Sequence, residues 1–314
     1  MKTVLNTACV FKPGELRSAY QQGENILRLI RDRFGFSTNE QAAILASYDL
    51  QAGSYIEALN DTDVCSAHQM YAQAIGNIIK PLEPRSLLDA GAGEATTLLD
   101  VTEHLSGIER LYGFDLVWSR VYCGAKYWME RGRTASLFVG ELEAIPFPDN
   151  SFDVVFTSHA VEPNHGREEV ILGELYRVAR KYVALFEPCY ELAGPEARAR
   201  MEFHGYCRGL PALARQRGWT VVDWRLLDVS LNATNPTGVL LIEKNQKEIC
   251  SDNTGPGVNY SCPVCREMLI QSEHWFCQAC GMVYPQIKGI PCLSRMSAIV
   301  ASKFGEYCGV SPAR

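Results

Sequence analysis

No apolar run in this chain of 314 residues approaches the roughly 20 residues that span a bilayer, so no integral membrane helix is expected. The opening stretch "MKTVLNTACVFKPGELR" has a lysine but only a broken apolar segment. No signal peptide is read there, and a cytoplasmic address is expected. A disulfide framework is missing too. Of twelve cysteines, eight lie singly and four fall into two tight pairs, which suits a reducing compartment with one metal site. Basic excess is also lacking, since the net charge is −6. From Val258 onward Lys and Arg outnumber Asp and Glu by five to three, and the remainder carries 25 against 33. Proteins that hold nucleic acid unaided show a positive excess on at least one face, so neither part reads as a polyanion binder on charge alone. Internal repeats and low-complexity tracts are absent. What remains is ordinary globular composition, 47% hydrophobic and 21% charged, in a chain long enough for one large domain or one large and one small.

Helical spacing dominates the first eighty residues. Leu16, Tyr20, Ile26, Leu27 and Ile30 recur at near-helical intervals in "GELRSAYQQGENILRLIRDRFG". Ser37 with Glu40 three residues on forms a capping-box pattern, and "SAHQMYAQAIGNIIKPL" ends a further helix before Pro81. From Arg85 short apolar strands alternate with helices, as in "SLLDA" then "ATTLLDVTEHL" and "SFDVVFTS" then "REEVILGELYRVA". That alternation predicts an α/β fold with a mostly parallel sheet and helices on both faces. A helix is expected from about Pro195 to Arg217. "WTVVDWRLLDVS" and "TGVLLIEK" have no helical spacer between them, so an antiparallel pair is expected at the sheet's edge. The Gly-Pro-Gly stretch over 247–257 reads as a linker. The expected organisation is a helical N-terminal cap over 1–80, an α/β domain over 81–246, and a cysteine module with a tail over 258–314.

The richest stretch is "SLLDAGAGEATTLLD", where an apolar strand runs into Asp89-Ala90-Gly91-Ala92-Gly93 and then a helix. Glycines at 91 and 93 let the backbone turn tightly and approach a ligand, and the helix start points N–H groups into the same crevice. This is the ligand-binding turn of a doubly wound sheet. A dinucleotide-phosphate turn expects a third glycine where Thr96 stands. Asp115 ends the second strand twenty-two residues after Gly93, where a carboxylate accepts from ribose hydroxyls or simply caps the next helix.

Next comes "FVGELEAIPFPDNSFDVVFTSHAVE". With it the sequence resembles the class I S-adenosylmethionine-dependent methyltransferases. Their glycine turn follows strand one, their third strand ends in Gly-Asp/Glu before an Ile/Leu-Pro-Phe segment, and strand four follows as Phe-Asp-x-Val. The resemblance spans 86 to about 245 and implies a Rossmann-like methyltransferase sheet with its last strand antiparallel. It implies that Ala90, Gly91 and Gly93 pass the methionine part of the cofactor while Asp89 orients its amino group. Asp115 would bind the ribose, Leu116 pack on the adenine, Glu141 accept the adenine N6 hydrogens, the Leu142 N–H face a ring nitrogen, and Ser158 sit beside the sulfonium.

The methyl acceptor is expected near the end of strand four, at "TSHAVEPNHG". The Asn/Asp-Pro-Pro-aromatic motif of enzymes that methylate adenine or glutamine nitrogen is missing. "TNPTG" at 234–238 falls between the last two strands, outside the expected position. The loop instead offers His159, Glu162, Asn164 and His165. A histidine has an intrinsic pKa suited to taking a proton at neutral pH, with His159 first and His165 behind it. Either also reads as a structural hydrogen-bonding histidine. Glu187 is read as bonding the acceptor or capping the next helix. "YDLQAGSYIEAL", with Tyr48, Gln51 and Tyr55, is a candidate lid or an inter-helix core. Arginines 198, 200, 208, 215 and 217 either meet an anionic substrate group or stay solvated.

Cys262-x2-Cys265 and Cys277-x2-Cys280 supply four soft ligands for a structural, tetrahedral Zn2+, with Cys292 and His274 outside the pattern. The following "VYPQIKGIPCL" resembles the small zinc ribbons that activate tRNA and protein methyltransferases. It also resembles the ribbon fused to bacterial 23S rRNA guanine methyltransferases, where the ribbon precedes the enzyme domain. Three functions follow from the whole: methyl transfer to an oxygen or nitrogen of a small or glycan-like polar acceptor, RNA base methylation with the ribbon docking RNA or a protein partner, or a non-catalytic cofactor-binding scaffold.

Overall fold

The computed structural model describes residues 14–232, 234–245 and 259–308; the expected 247–257 linker lies outside them. Among the described residues five α-helices come first: α1 (Glu15–Gln21), α2 (Ile26–Phe34), α3 (Gln41–Leu50), α4 (Ser54–Ala58) and α5 (Thr62–Ile79). The first periodic stretch is thus two helices, because Gly23 takes a left-handed φ of 79° between them. The capping box at Ser37 does not form. α3 begins later, after Glu40, and Asn39 is drawn away into bonds with Arg31 and the carbonyls of Pro163 and His204.

The α/β unit runs β1 (Ser86–Ala90), α6 (Thr96–Thr102), β2 (Arg110–Asp115), α7 (Trp118–Glu130), β3 (Ser136–Val139), β4 (Phe152–Ser158), α8 (Glu168–Val178), β5 (Ala179–Pro188), α9 (Pro195–His204), α10 (Leu210–Gln216), β6 (Thr220–Leu226) and β7 (Thr237–Glu243). Gly205 and Gly209, both left-handed, split the expected single helix after Pro195 into α9 and α10. The sheet order is β3-β2-β1-β4-β5-β7-β6. Strands β1 to β5 are parallel, and β7 runs antiparallel to both β5 and β6. The chain order reverses between β1 and β4, so the crevice at their carboxyl ends is where such sheets hold ligands.

Two cores cover the two faces. On one, Tyr71, Ile75 and Ile79 of α5 pack with Leu98 and Leu99 of α6, Trp128 of α7, and Val154 and Phe156 of β4. Helix α5 therefore completes the sheet's packing, while α1 to α3 share a small cluster of their own. On the other, Ile171 and Leu175 of α8 join Phe114, Phe138, Phe147 and Phe152, and with them Tyr260, Cys262, Cys277, Tyr284 and Leu293 of the cysteine module. That module folds as short strands β8 (Ile270–Gln271), β9 (Trp275–Cys277), β10 (Met282–Tyr284), β11 (Gln286–Ile287), β12 (Ile290–Pro291) and β13 (Ile299–Val300), then α11 (Phe304–Tyr307). Just after β12, Cys292 bridges Val139 in parallel and the Leu293 N–H donates to the Val139 carbonyl at 2.7 Å. This pairing covers the edge strand β3, whose free backbone groups would otherwise invite another strand. Arg266 adds a two-armed contact to buried Glu174 of α8, both arms at 2.8 Å. Among the described residues, no helix is long and apolar enough to cross a membrane.

Candidate active site

At the end of β1 the backbone reverses through Gly91 (φ 88°) and Gly93 (φ 60°) before α6. A Cβ at Gly91 would lie 2.2 Å from the Ala160 side chain, and one at Gly93 would lie 2.5 Å from Arg120. Only glycine permits both the turn and the closeness of these walls. The turn's own N–H groups are used internally: Gly91 and Ala92 donate to the Phe114 carbonyl, and Gly93 to Asp115 Oδ2 at 3.0 Å. Asp115 Oδ1 accepts from Val117 N at 2.9 Å. Asp115 is not the N-cap of α7, which is Val117, but it lies on the cleft wall and each of its carboxylate oxygens keeps a second acceptor site.

Two clefts meet over this turn. One, of about 600 Å3, is lined by Gly91, Asp115, Leu116, Glu141, Leu142, Ile44 and Gln41 among others. The second, of about 1010 Å3 and open to solvent, is lined by Gly93, Glu94, His68, Ser158, Glu162, Arg200, Tyr206 and Asn235 among others. Tyr48, Gly91, Arg120 and His159 border both. Asp89 and Ala90 do not reach either wall; they end the buried strand beneath the turn. Asp89 Oδ1 is buried without a hydrogen-bond partner, and burial first, then the nearby Asp115 carboxylate, pushes its pKa well above the ordinary range. An orphaned buried acceptor beside a glycine cradle is what an ammonium-bearing ligand would satisfy.

Glu141 requires a correction. It is on the wall, but its Oε1 accepts from the Arg295 N–H (2.7 Å) and Nε (2.9 Å), and its Oε2 from Gln41 (2.8 Å) and Arg295 Nη2 (3.0 Å). Four donors fill the carboxylate, leaving no site for adenine N6. Burial alone would raise its pKa, but Arg295 and Gln41 hold it below the usual range.

The acceptor loop is built differently from its sequence reading. His159 sits at a left-handed φ of 53°, with Nδ1 2.9 Å from Glu162 Oε2 and Nε2 2.8 Å from the Thr237 hydroxyl. Burial lowers its basicity, yet Glu162 and then Glu187 outweigh this and leave the pKa raised. His165 is not brought to the site: after the Asn164 turn it bonds Glu168 at 2.7 Å at the start of α8 and lines neither cleft. Glu187 neither faces an acceptor nor caps α9. Its carboxylate accepts from the N–H groups of Ala160, Val161 and Glu162 at 3.0 to 3.1 Å, and burial pushes its pKa up to about 7. Ser158 Oγ is 2.9 Å from the Tyr71 hydroxyl of α5.

Several wall residues escaped the sequence reading. The 234–238 stretch was set aside as lying between the last strands, but β7 runs antiparallel, so its start returns to the carboxyl rim beside Pro188. This delivers Thr237 to His159 and Asn235 to the second cleft. Arg120 enters from the first turn of α7, its guanidinium 4.6 Å from the Tyr55 ring centroid and 5.3 Å from Tyr48, with Asp115 3.8 Å away. Of the lid candidates, Tyr48 and Tyr55 line the clefts, while Gln51 turns back to the Ser47 carbonyl. Glu94 ties that lid to the glycine turn by accepting from Gly53 N and Ile56 N, both at 2.8 Å.

Some distance away, the sulfurs of Cys262, Cys265, Cys277 and Cys280 lie within 4.8 Å of one another. Cys262–Cys280 is 3.6 Å and Cys265–Cys277 is 3.3 Å. Cys292 and His274 stand apart, bonded to Ile290 O and Gln286 N respectively.

Residues 87–182 match the family described as "Methyltransferase domain". The chain is 27% identical over 152 residues to the ubiquinone/menaquinone biosynthesis C-methyltransferase UbiE of Dinoroseobacter shibae, covering 47% of this chain and 60% of that relative's length. It thus spans about three fifths of the relative it matches. In structure it resembles magnesium protoporphyrin IX methyltransferase (ChlM) of Synechocystis PCC 6803, solved with bound SAH, at a TM-score of 0.50 and 12% identity over 63% of this chain and 98% of that one. That likeness concerns the fold. Together with the strand order and the glycine turn, these matches show that residues 87–182 resemble a methyltransferase domain on a Rossmann-like sheet within this longer chain.

Proposed function

We propose that the chain transfers the methyl group of S-adenosylmethionine to an oxygen or nitrogen of a small polar acceptor. The observation that carries this reading is the meeting of two clefts at Gly91 and His159, one along the ends of β1, β2 and β3, the other beyond Ser158. Asp115, Leu116, Leu142, Gly91 and Gly93 would hold the cofactor, and Asp89, buried beneath the turn, would meet its ammonium group only once the glycine turn shifts to uncover Oδ1. The cofactor supplies a methyl carbon already activated by an adjacent positive sulfur. As the acceptor O–C or N–C bond forms, the S–C bond breaks and its electron pair stays on the sulfur. The acceptor's proton passes to the Thr237 hydroxyl as that hydroxyl gives its own proton to His159 Nε2, and Glu162 at Nδ1 stabilises the resulting imidazolium. Alignment of the two ligands, with Tyr48 and Tyr55 closing over them, supplies most of the rate.

The four cysteines would hold one structural zinc, with every tetrahedral position filled by thiolate. Docking of the module on the chain's own β3 and α8 supports a bracing role over an RNA grip, in line with its small charge excess.

The test is transfer of labelled methyl from S-adenosylmethionine into cell extract fractionated into RNA, protein and small-molecule pools. Label is expected in the small-molecule pool. His159→Ala should lower that turnover at least tenfold with cofactor affinity unchanged. Label confined to RNA, or full activity in the variant, would contradict the acceptor class or the base respectively.

A further inference from the structure

The five arginines of the 195–217 region divide sharply by environment. Arg198 donates to the carbonyls of Tyr190 (3.0 Å) and Glu191 (2.8 Å). Arg208 pairs with Glu202, Arg217 with Glu169, and Arg215 lies over the Trp224 ring. Arg200 alone of the five lines the second cleft. Its Nη1 is buried without a hydrogen-bond partner, and among the described residues no carboxylate pairs with it. Leaving a guanidinium arm desolvated and unpaired is costly, and a partner in the cleft would remove that cost.

The surroundings say what the partner is. The Tyr206 ring centroid is 6.0 Å from the Arg200 guanidinium carbon. Asn235, only 5% exposed, lines the same cleft, and its Oδ1 is likewise buried and unpartnered. The other guanidinium on this wall, Arg120, also has an unpartnered Nε, but it faces the Asp115 carboxylate at 3.8 Å and the two tyrosine rings. Of the carboxylates beside the acceptor loop, Glu162 is bonded to His159 and Glu187 is taken up by three loop N–H groups.

We propose that Arg200, with Tyr206 and Asn235 beside it, recognises a carboxylate on the methyl acceptor. A planar monoanion matches a guanidinium edge and balances its single positive charge. A dianionic phosphate would bring a second negative charge toward Glu162, and the other cation lining the cleft, Arg120, already faces the Asp115 carboxylate. The remaining orphan, Asn235 Oδ1, accepts from a donor elsewhere on the same acceptor. The proposal deepens the methyl-transfer reading and rests on it: the anion anchors one end of the acceptor and points the reacting atom at the Thr237–His159 pair.

The experiment uses the full chain saturated with S-adenosylhomocysteine, whose binding is first read by calorimetry. Ligand-detected NMR then compares benzoate and phenylacetate with benzamide and phenylacetamide, with phenyl phosphate as the dianion. The carboxylates should bind at least tenfold tighter than their amides. Arg200→Met should abolish that preference with S-adenosylhomocysteine affinity unchanged, and Arg200→Lys should keep part of it. Equal binding of amides and carboxylates, a preference that survives Arg200→Met, no carboxylate binding, or tighter binding of phenyl phosphate would overturn the proposal. Failure of the methyl-transfer reading would show separately, as absence of S-adenosylhomocysteine binding in the first titration.

Discussion

Glu187 closes β5 with a carboxylate that receives three successive N–H groups from the loop after β4. Such donors favour the ionised form, but complete burial works against it and prevails, leaving the pKa near 7. Because the folded value lies above that of an unfolded glutamate, the native state binds the extra proton between about pH 4.5 and 7. The stability contributed by this residue is therefore full below about pH 4.5 and falls as pH rises through 7. Comparison with Glu187→Gln isolates it, since the neutral amide cannot titrate. Denaturant unfolding at pH 5 and pH 8 should show the wild type losing about 3 kcal/mol more than the variant across that interval. Parallel pH profiles for the two proteins would show that Glu187 titrates normally. At the neighbouring His159 the opposite balance holds, because a carboxylate at hydrogen-bond distance outweighs burial and keeps the ring basic.

Among the elements, β3 and the segment after β12 make the most consequential contact. Arg295 follows that segment by two residues and places three donors on Glu141, a carboxylate in the wall of the first cleft. Arg295→Ala leaves Glu141 buried with only Gln41 and the Arg295 backbone N–H to serve it. Arg295 is itself half-exposed, so the cost is discounted to about 1–3 kcal/mol. Unfolding should read that loss, and calorimetry should show weaker S-adenosylmethionine binding as the wall relaxes. Unchanged stability and affinity would mean the contact is ornamental.

Element-level features also mark what was readable in advance. The Gly91–Gly93 turn and the strand–helix alternation declare themselves locally, through spacing that physical chemistry ties to one backbone geometry. The filled state of Glu141 was invisible, because its partners come from residues 41 and 295, far away in the chain. Asn235 and Thr237 were misplaced for a related reason: reading strands in order does not reveal that an antiparallel insertion brings the start of β7 to the catalytic rim. His165 lies away from the clefts because adjacency in a loop does not fix adjacency in space. Arg120 carries a signal of its own, as the third residue of the helix that follows Asp115.

On the scale of the whole molecule, the cysteine module shares a continuous hydrophobic core with the sheet, through Tyr260, Tyr284 and Leu293 against Phe138 and Phe147. Metal loss should consequently be felt by the entire fold. Elemental analysis of the purified chain should give one zinc per chain, and stripping it should lower the single thermal transition by about 5–10 °C. A chain with no bound metal, or one whose melting temperature ignores chelation, would contradict a structural zinc. Packing α5 onto the opposite face means that this helix, too, melts with the sheet.

The most direct test of the account is calorimetric titration of S-adenosylmethionine into the full chain and into Asp115→Ala. The wild type should bind one equivalent, and the variant should bind at least tenfold more weakly, because the carboxylate both accepts from the ribose and holds the Gly93 N–H in place. Absence of binding by the wild type, or equal affinity in the variant, would contradict the assignment of this cleft to the cofactor.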